Sequence, residues 1–174
     1  MSKVLNDVTE IRQRSRNNLE NGAVTPSYPL DIKVVIKRLN EALATELVCV
    51  LRYRRHYFMA MGIDSEPVAQ EFLEHSNEEL GHADMLAKRI KQLGGEPNFN
   101  PDTLTSMSHS EYVEGLDLSE MIKENLVAER IAIESYRDLI DFVGQGDSTT
   151  RRVLERILEV EEEHADELSD LLNS

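Results

Sequence analysis

The sequence predicts an all-α chain: an antiparallel four-helix bundle with a long crossover between its second and third helices, and an N-terminal arm. Three observations carry this. Apolar residues recur at alternating steps of four and three along four long stretches, the period of a helix that buries one face. Aromatic residues are 5%, with no Trp, 8 Gly and 5 Pro, too few aromatic and turn residues for a β-sandwich or barrel. And 174 residues suffice for one compact domain with its own core.

The elements follow in order. Residues 1–30 form the arm, where Val4, Val8 and Ile11 have helical spacing, Asn21-Gly22 is a stop, and Pro26 and Pro29 mark a linker. Residues 31–174 form the bundle. Its first helix runs from about Asp31 to Met61, ahead of Gly62. The second starts near Pro67, a favoured first helical residue, and ends at Gly94-Gly95. The third lies between Asp117 and Gly144, and the fourth runs from Asp147 almost to the C-terminus. Short connections at Gly62–Glu66 and Gly144–Asp147 make each pair an antiparallel hairpin. The segment GGEPNFNPDTLTSMSHSEYVEGLD between the pairs is long for a loop, and a crossover along the bundle accounts for it.

Composition narrows the function. The one cysteine, Cys49, cannot make an internal disulfide or a Cys-rich zinc site. No secretory leader and no membrane-length apolar run is legible, so a reducing cytoplasm is expected. Thirty-three acidic residues face nineteen Lys and Arg, a net charge of −14 that repels nucleic acid and attracts cations. The arm sets four basic residues, Lys3, Arg12, Arg14 and Arg16, against Asp7, Glu10 and Glu20. That is a poor DNA footprint, and packing on neighbouring subunits suits the arm better.

The four apolar stripes share an anomaly. The first helix reads Ile32, Ile36, Leu39, Leu43, Glu46, Val50, Tyr53, Tyr57. The second reads Val68, Phe72, His75, Glu79, His82, Leu86, Leu93. The third carries Glu129 between Leu126 and Ile133, with Tyr136 beyond, and the fourth carries Glu161 and His164 between Ile157 and Leu168. Every stripe therefore breaks near its middle with Glu, or with Glu and His three residues apart on one face. Buried carboxylates cost several kcal/mol without partners. At an effective dielectric near 20, each like pair about 4 Å apart adds on the order of 4 kcal/mol. No Lys or Arg shares the stripes at that level, so divalent cations are the expected counter-charge. Two single Glu residues plus two Glu-x-x-His pairs form the ligand set of a di-iron carboxylate site in a four-helix bundle.

On these residues the chain resembles bacterioferritin, within the ferritin-like superfamily. LNEALATELVCVLRYRRHYFMA is similar to that family's first helix, and EFLEHSNEELGHADMLAKRIKQLGGEPN to its second helix and the turn after it. LVAERIAIESYRDLI and ILEVEEEHADEL are similar to the third and fourth. The resemblance implies terminal ligands Glu46 and Glu129, bridging ligands Glu79 and Glu161, and His82 and His164 each capping one iron. Tyr53 matches a tyrosine beside the site that can take part in redox steps; core packing with a hydrogen-bonded hydroxyl is its other reading. Glu74 and Glu78 match positions that can hold iron on a cavity wall, though a solvated face is the usual role of such residues. For His56 and His109, surface or interface positions are the default.

Three departures qualify the resemblance. Bacterioferritins bind haem through a Met two residues before the first ligand His; here that position is Leu80, and haem is not expected. Ten residues follow His164, too few for the family's fifth helix, and about thirty extra residues stand at the front. That outline is Dps-like, although Dps proteins place their iron site between subunits. The expectation is a metal-binding, oxidoreductase-type protein of iron storage and detoxification. Its ferroxidase site would oxidise Fe(II) with O2 or H2O2 and pass Fe(III) as mineral into a homo-oligomeric cage, twelve subunits being favoured over twenty-four. The alternatives are a non-storing di-iron oxidase or peroxidase and a Dps-like DNA-protecting shell.

Overall fold

A computed structural model of the chain describes residues 7–63 and 65–173. Val4 and Lys3 lie outside them. Six α-helices and one 3-10 turn are present among the described residues, with no strand. They are α1 (Val8–Arg14), α2 (Ile32–Met59), α3 (Ser65–Gln92), α4 (Pro101–Met107), α5 (Leu118–Val143) and α6 (Ser148–Asn173). The four long helices begin and end within two residues of the expected positions.

Local chemistry explains the boundaries. Asp31 caps α2 by accepting from the Lys33 and Val34 amides at 2.9 and 3.4 Å. Asp117 caps α5 through the Glu120 amide, while the Glu120 carboxylate accepts from Leu116 N, close to a reciprocal capping box. Past the end of α3, Gly94 has φ +81°, a conformation that strains a side chain bearing a Cβ. A Cβ on Gly95 would stand 2.7 Å from Ile36, so the missing side chain lets the turn pass α2 closely.

The crossover differs from the expected plain connection. It contains α4, with Asn100 accepting from Asp102 N and Pro101 in the first turn, and α4 packs on α2 through Leu104. Asn40 holds it down, its amide donating to the Glu96 carbonyl and its oxygen accepting from Asn98 N. α2 lies along α3 and α5 along α6, and the hairpins meet through α2 against α5 and α3 against α6.

Within the arm, α1 buries nothing, but Val24, Tyr28 and Leu30 pack on the core. That core has two apolar parts. Val35, Leu39, Leu43, Leu86, Ile90 and Ile157 belong to one, and Tyr53, Phe72, Ile122 and Leu168 to the other. Between them in sequence, on all four long helices, lies a layer of buried carboxylates.

Candidate metal centre

Glu46 on α2, Glu79 on α3, Glu129 on α5 and Glu161 on α6 are each no more than 1% exposed, and His82 and His164 no more than 4%. The bundle brings all six together. One ligand atom from each of Glu46, Glu79, His82 and Glu161 lies within 4.8 Å of the others, and the same holds for Glu79, Glu129, Glu161 and His164. Glu79 and Glu161 belong to both groups, between two positions that could each hold a metal ion. His82 Nδ1 stands 2.9 Å from Glu161 Oε1, 3.3 Å from Glu79 Oε2 and 3.4 Å from Glu46 Oε2. His164 Nδ1 stands 3.7 and 3.9 Å from Glu79 and Glu161.

The protein leaves this layer incomplete. Glu46 Oε2, Glu79 Oε1, Glu129 Oε2, both Glu161 oxygens and His164 Nδ1 are buried with no hydrogen-bond partner. Each such group costs about 1–3 kcal/mol. Five of these atoms are carboxylate oxygens and the sixth is an imidazole nitrogen, hard and borderline donors that suit iron, manganese or zinc. The donor set therefore fits a pair of divalent cations.

Electrostatics agree. Burial, then repulsion from Glu79, pushes Glu46 and Glu161 well above the ordinary carboxylate range and also raises Glu129. Glu79 moves down despite its burial, held by its contacts with Glu46, His164 and His82. Burial opposes charge on the two histidines, yet contacts with Glu161, Glu46 and Glu79 push His82 up, and those with Glu79 and Glu129 push His164 up to about 9. Protons thus do part of the work that metal charge would do.

The surrounding shell is fixed by hydrogen bonds. Tyr53 on α2 donates to Glu129 Oε1 on α5, and Tyr136 on α5 donates to Glu46 Oε1 on α2. The two form a reciprocal pair across the bundle. The Tyr53 hydroxyl is thus hydrogen-bonded, as its packing reading required, and bonded to a candidate ligand. Tyr136 escaped the sequence reading, although its signal was there: it follows Glu129 by seven residues, as Tyr53 follows Glu46. Glu78 Oε2 lies 2.8 Å from His164 Nε2, so Nε2–H donates and Nδ1 is the ring nitrogen turned toward Glu79 and Glu161. Glu78 thus orients a candidate ligand, while Glu74 is exposed. Arg52, fully buried beside Tyr53, donates to Asn125 Oδ1, the Glu111 carbonyl and Cys49 Sγ, keeping a positive charge near the carboxylates. Cys49 is a buried free thiol, and burial pushes it up.

His56 departs from its expected surface or interface position. It is fully buried, with Nε2 3.1 Å from the Val113 and Glu114 carbonyls of the crossover, and burial lowers it to about 4. His109 is exposed, as is 43% of Leu80.

Known proteins supply the context. The Ferritin family, described as a ferritin-like domain, matches residues 36–174. Bacterioferritin from Desulfovibrio desulfuricans is 31% identical over 131 residues, 75% of this chain and 69% of that protein. Among solved structures, the dodecameric thioferritin of Bacteroides fragilis, a bacterioferritin-related protein, is similar with a TM-score of 0.80. It is 33% identical, over 83% of this chain and 87% of that one. Dps from Thermosynechococcus elongatus shares the fold with a TM-score of 0.78 at 21% identity, over 80% of this chain and 90% of that one.

Proposed function

The chain belongs to the ferritin-like family, and on that premise we propose that it is a cytoplasmic ferroxidase and iron-storage protein. Fe(II) is its substrate, oxidised in pairs at the six-residue centre inside each subunit and stored as Fe(III) mineral in a homo-oligomeric cage. The observation that carries this is the set of six buried donor atoms without a hydrogen-bond partner, converging from four helices. Twelve subunits are favoured, by the dodecameric relative.

When bound, iron supplies the redox chemistry, each Fe(II) giving one electron to O2 or H2O2. The chain supplies the rest. Glu46 and Glu129 each face one ion position, Glu79 and Glu161 face both, and His82 and His164 each complete one of them. Tyr136 and Tyr53 fix the outer ligands by donating to Glu46 and Glu129. Glu78 fixes the His164 tautomer. Two cations would relieve the repulsion that now keeps protons on the carboxylates, so loading the site releases protons. Leu80 offers no thioether, and no haem is part of the proposal.

The test is an iron challenge. Metal-free protein receives Fe(II) in air, in large excess over about two ions per chain, and the product is sized and assayed for iron. Iron far above that ratio, co-eluting with a large assembly, is the expected result. About two ions per chain on a small species would replace storage with a non-storing di-iron oxidase. Glu46→Ala, His82→Ala and Glu129→Ala should each slow Fe(II) oxidation at least tenfold with helical content intact; wild-type rates in all three would sink the site.

A further inference from the structure

Beside His164, on which the His75 ring stacks, three more side chains converge. Glu71 and His75 stand four residues apart on α3, and Glu167 projects from α6. One ligand atom from each lies within 4.8 Å of the others. His75 Nε2 is 3.0 Å from Glu167 Oε2 and 3.7 Å from Glu71 Oε1. The imidazole is 1% exposed, whereas the Glu71 and Glu167 side chains are 35% and 44% exposed, so the cluster is closed by His75 and open to solvent at its carboxylates. Among the described residues neither carboxylate has a Lys or Arg partner.

The ring of His75 has little freedom. It stacks on His164 at 3.9 Å between centroids and meets Tyr53 edge-on at 5.3 Å. Its Nδ1 lies 3.2 Å from the Tyr53 hydroxyl. Tyr53 has one hydroxyl hydrogen and donates it to Glu129. The same hydroxyl therefore ties the His75 ring to the Glu129 side of the centre. Nε2 is hydrogen-bonded to Glu167 Oε2 and directed at Glu71 as well. The ring thus aims one nitrogen between two carboxylates that have no Lys or Arg partner among the described residues. A cation in place of the Nε2 hydrogen would meet all three ligand atoms, and one imidazole with two carboxylates suits a divalent first-row metal ion.

We propose that Glu71, His75 and Glu167 bind a third divalent cation, outside the two-metal centre, with water in the remaining coordination positions. The site shares no ligand with Glu46, Glu79, His82, Glu129, Glu161 and His164. It is also separate from Glu74 and Glu78, one exposed and the other engaged with His164. It builds on the proposed centre only through Tyr53 and His164, which position His75.

Zinc, which has no redox chemistry, tests it. The metal-free full-length assembly is titrated with Zn2+ by calorimetry, and crystals soaked in Zn2+ are measured at the zinc edge. Wild type should bind about three ions per chain, with an anomalous peak between Glu71, His75 and Glu167. Glu167→Gln, at a half-exposed position that tolerates change, should lose that peak and fall to about two ions. His75→Gln should do the same. A wild-type map without the peak, or both variants keeping it, overturns the third site. Glu46→Ala distinguishes the two assignments: it should empty part of the central pair and leave the third peak in place. A wild type with no zinc at the centre would count against the proposed function alone.

Discussion

Near one end of the bundle, Arg89, Asp147, Thr150 and Tyr28 form a buried polar cluster; in the middle, four glutamates and two histidines form another. Every donor at the end has its acceptor. Asp147 receives Arg89 at 2.9 and 3.0 Å, the Thr150 amide at 2.9 Å and the Tyr28 hydroxyl at 2.7 Å, and Arg89 Nε donates to Thr150 Oγ1 at 2.8 Å. The middle holds six donor atoms with no hydrogen-bond partner. The difference lies in sign and not in burial. The end pairs one cation with one anion, whereas the middle gathers four carboxylates around two histidines. One cluster is finished when the chain folds, tying the arm and α6 to α3. The other, on the proposed function, is finished by an ion.

The largest expected effect follows from breaking the finished cluster. Asp147→Asn leaves the Arg89 guanidinium, 7% exposed, without its counter-charge. Unfolding of the metal-free protein in urea should show a loss of about 3–5 kcal/mol, with Zn2+ binding unchanged. The acid limb gives a second readout. Burial raises Asp147, but hydrogen bonds from Thr150, Tyr28 and Arg89 outweigh it and hold the carboxyl down at about 2, against an ordinary 3.8. A depressed folded pKa stabilises the protein above pH 3.8 and loses that contribution as pH falls through about 2. The asparagine variant should lack this step. A variant as stable as wild type would mean that the cluster is ornamental.

The unfinished cluster should answer with the opposite sign. Glu161→Gln removes one of four crowded carboxylates, and the repulsion relieved offsets the one contact it weakens, with His82 Nδ1 at 2.9 Å. In metal-free protein it should be neutral or stabilising, by on the order of 1–2 kcal/mol. The cost appears only with metal. Wild type at Zn2+ a hundredfold above its Kd should gain about 2.7 kcal/mol, and the variant should gain little. Equal destabilisation of both forms would mean that Glu161 serves the fold and no ion.

What the sequence disclosed divides along the same line. The four long helices and the break in each stripe were legible because both are local: period, caps and a Glu three residues before a His lie within a few turns. The finished cluster was not, because Arg89 and Asp147 are 58 residues apart and meet only when the hairpins dock. His56 reads as a surface or interface residue; it is buried because the crossover lies over it, a contact spanning 57 residues. α4 was passed over although Asn100-Pro101 carried its start, since seven residues are too few for periodicity to speak. Tyr136 counted as apolar core because a stripe reports where a side chain points and says nothing of what its hydroxyl meets.

Two tyrosine hydroxyls give the finest comparison and the smallest effects. Tyr28 donates to an Asp147 that keeps Arg89 and Thr150 as further donors, whereas Tyr136 is the hydrogen-bond donor to Glu46 Oε1. Tyr28→Phe should therefore cost about 1 kcal/mol of stability and leave Zn2+ affinity unchanged. Tyr136→Phe should lower affinity for Zn2+ about tenfold, because Glu46 loses the bond that aims its free oxygen at the ion. Its effect on the metal-free fold should be smaller than that on affinity, since Glu46 is already pushed toward its neutral form there. Calorimetric titration and urea unfolding of both variants separate the two properties. Were Tyr28→Phe to weaken zinc binding as much as Tyr136→Phe does, the two clusters would be coupled along the bundle, and the division between a finished and an unfinished one would fail.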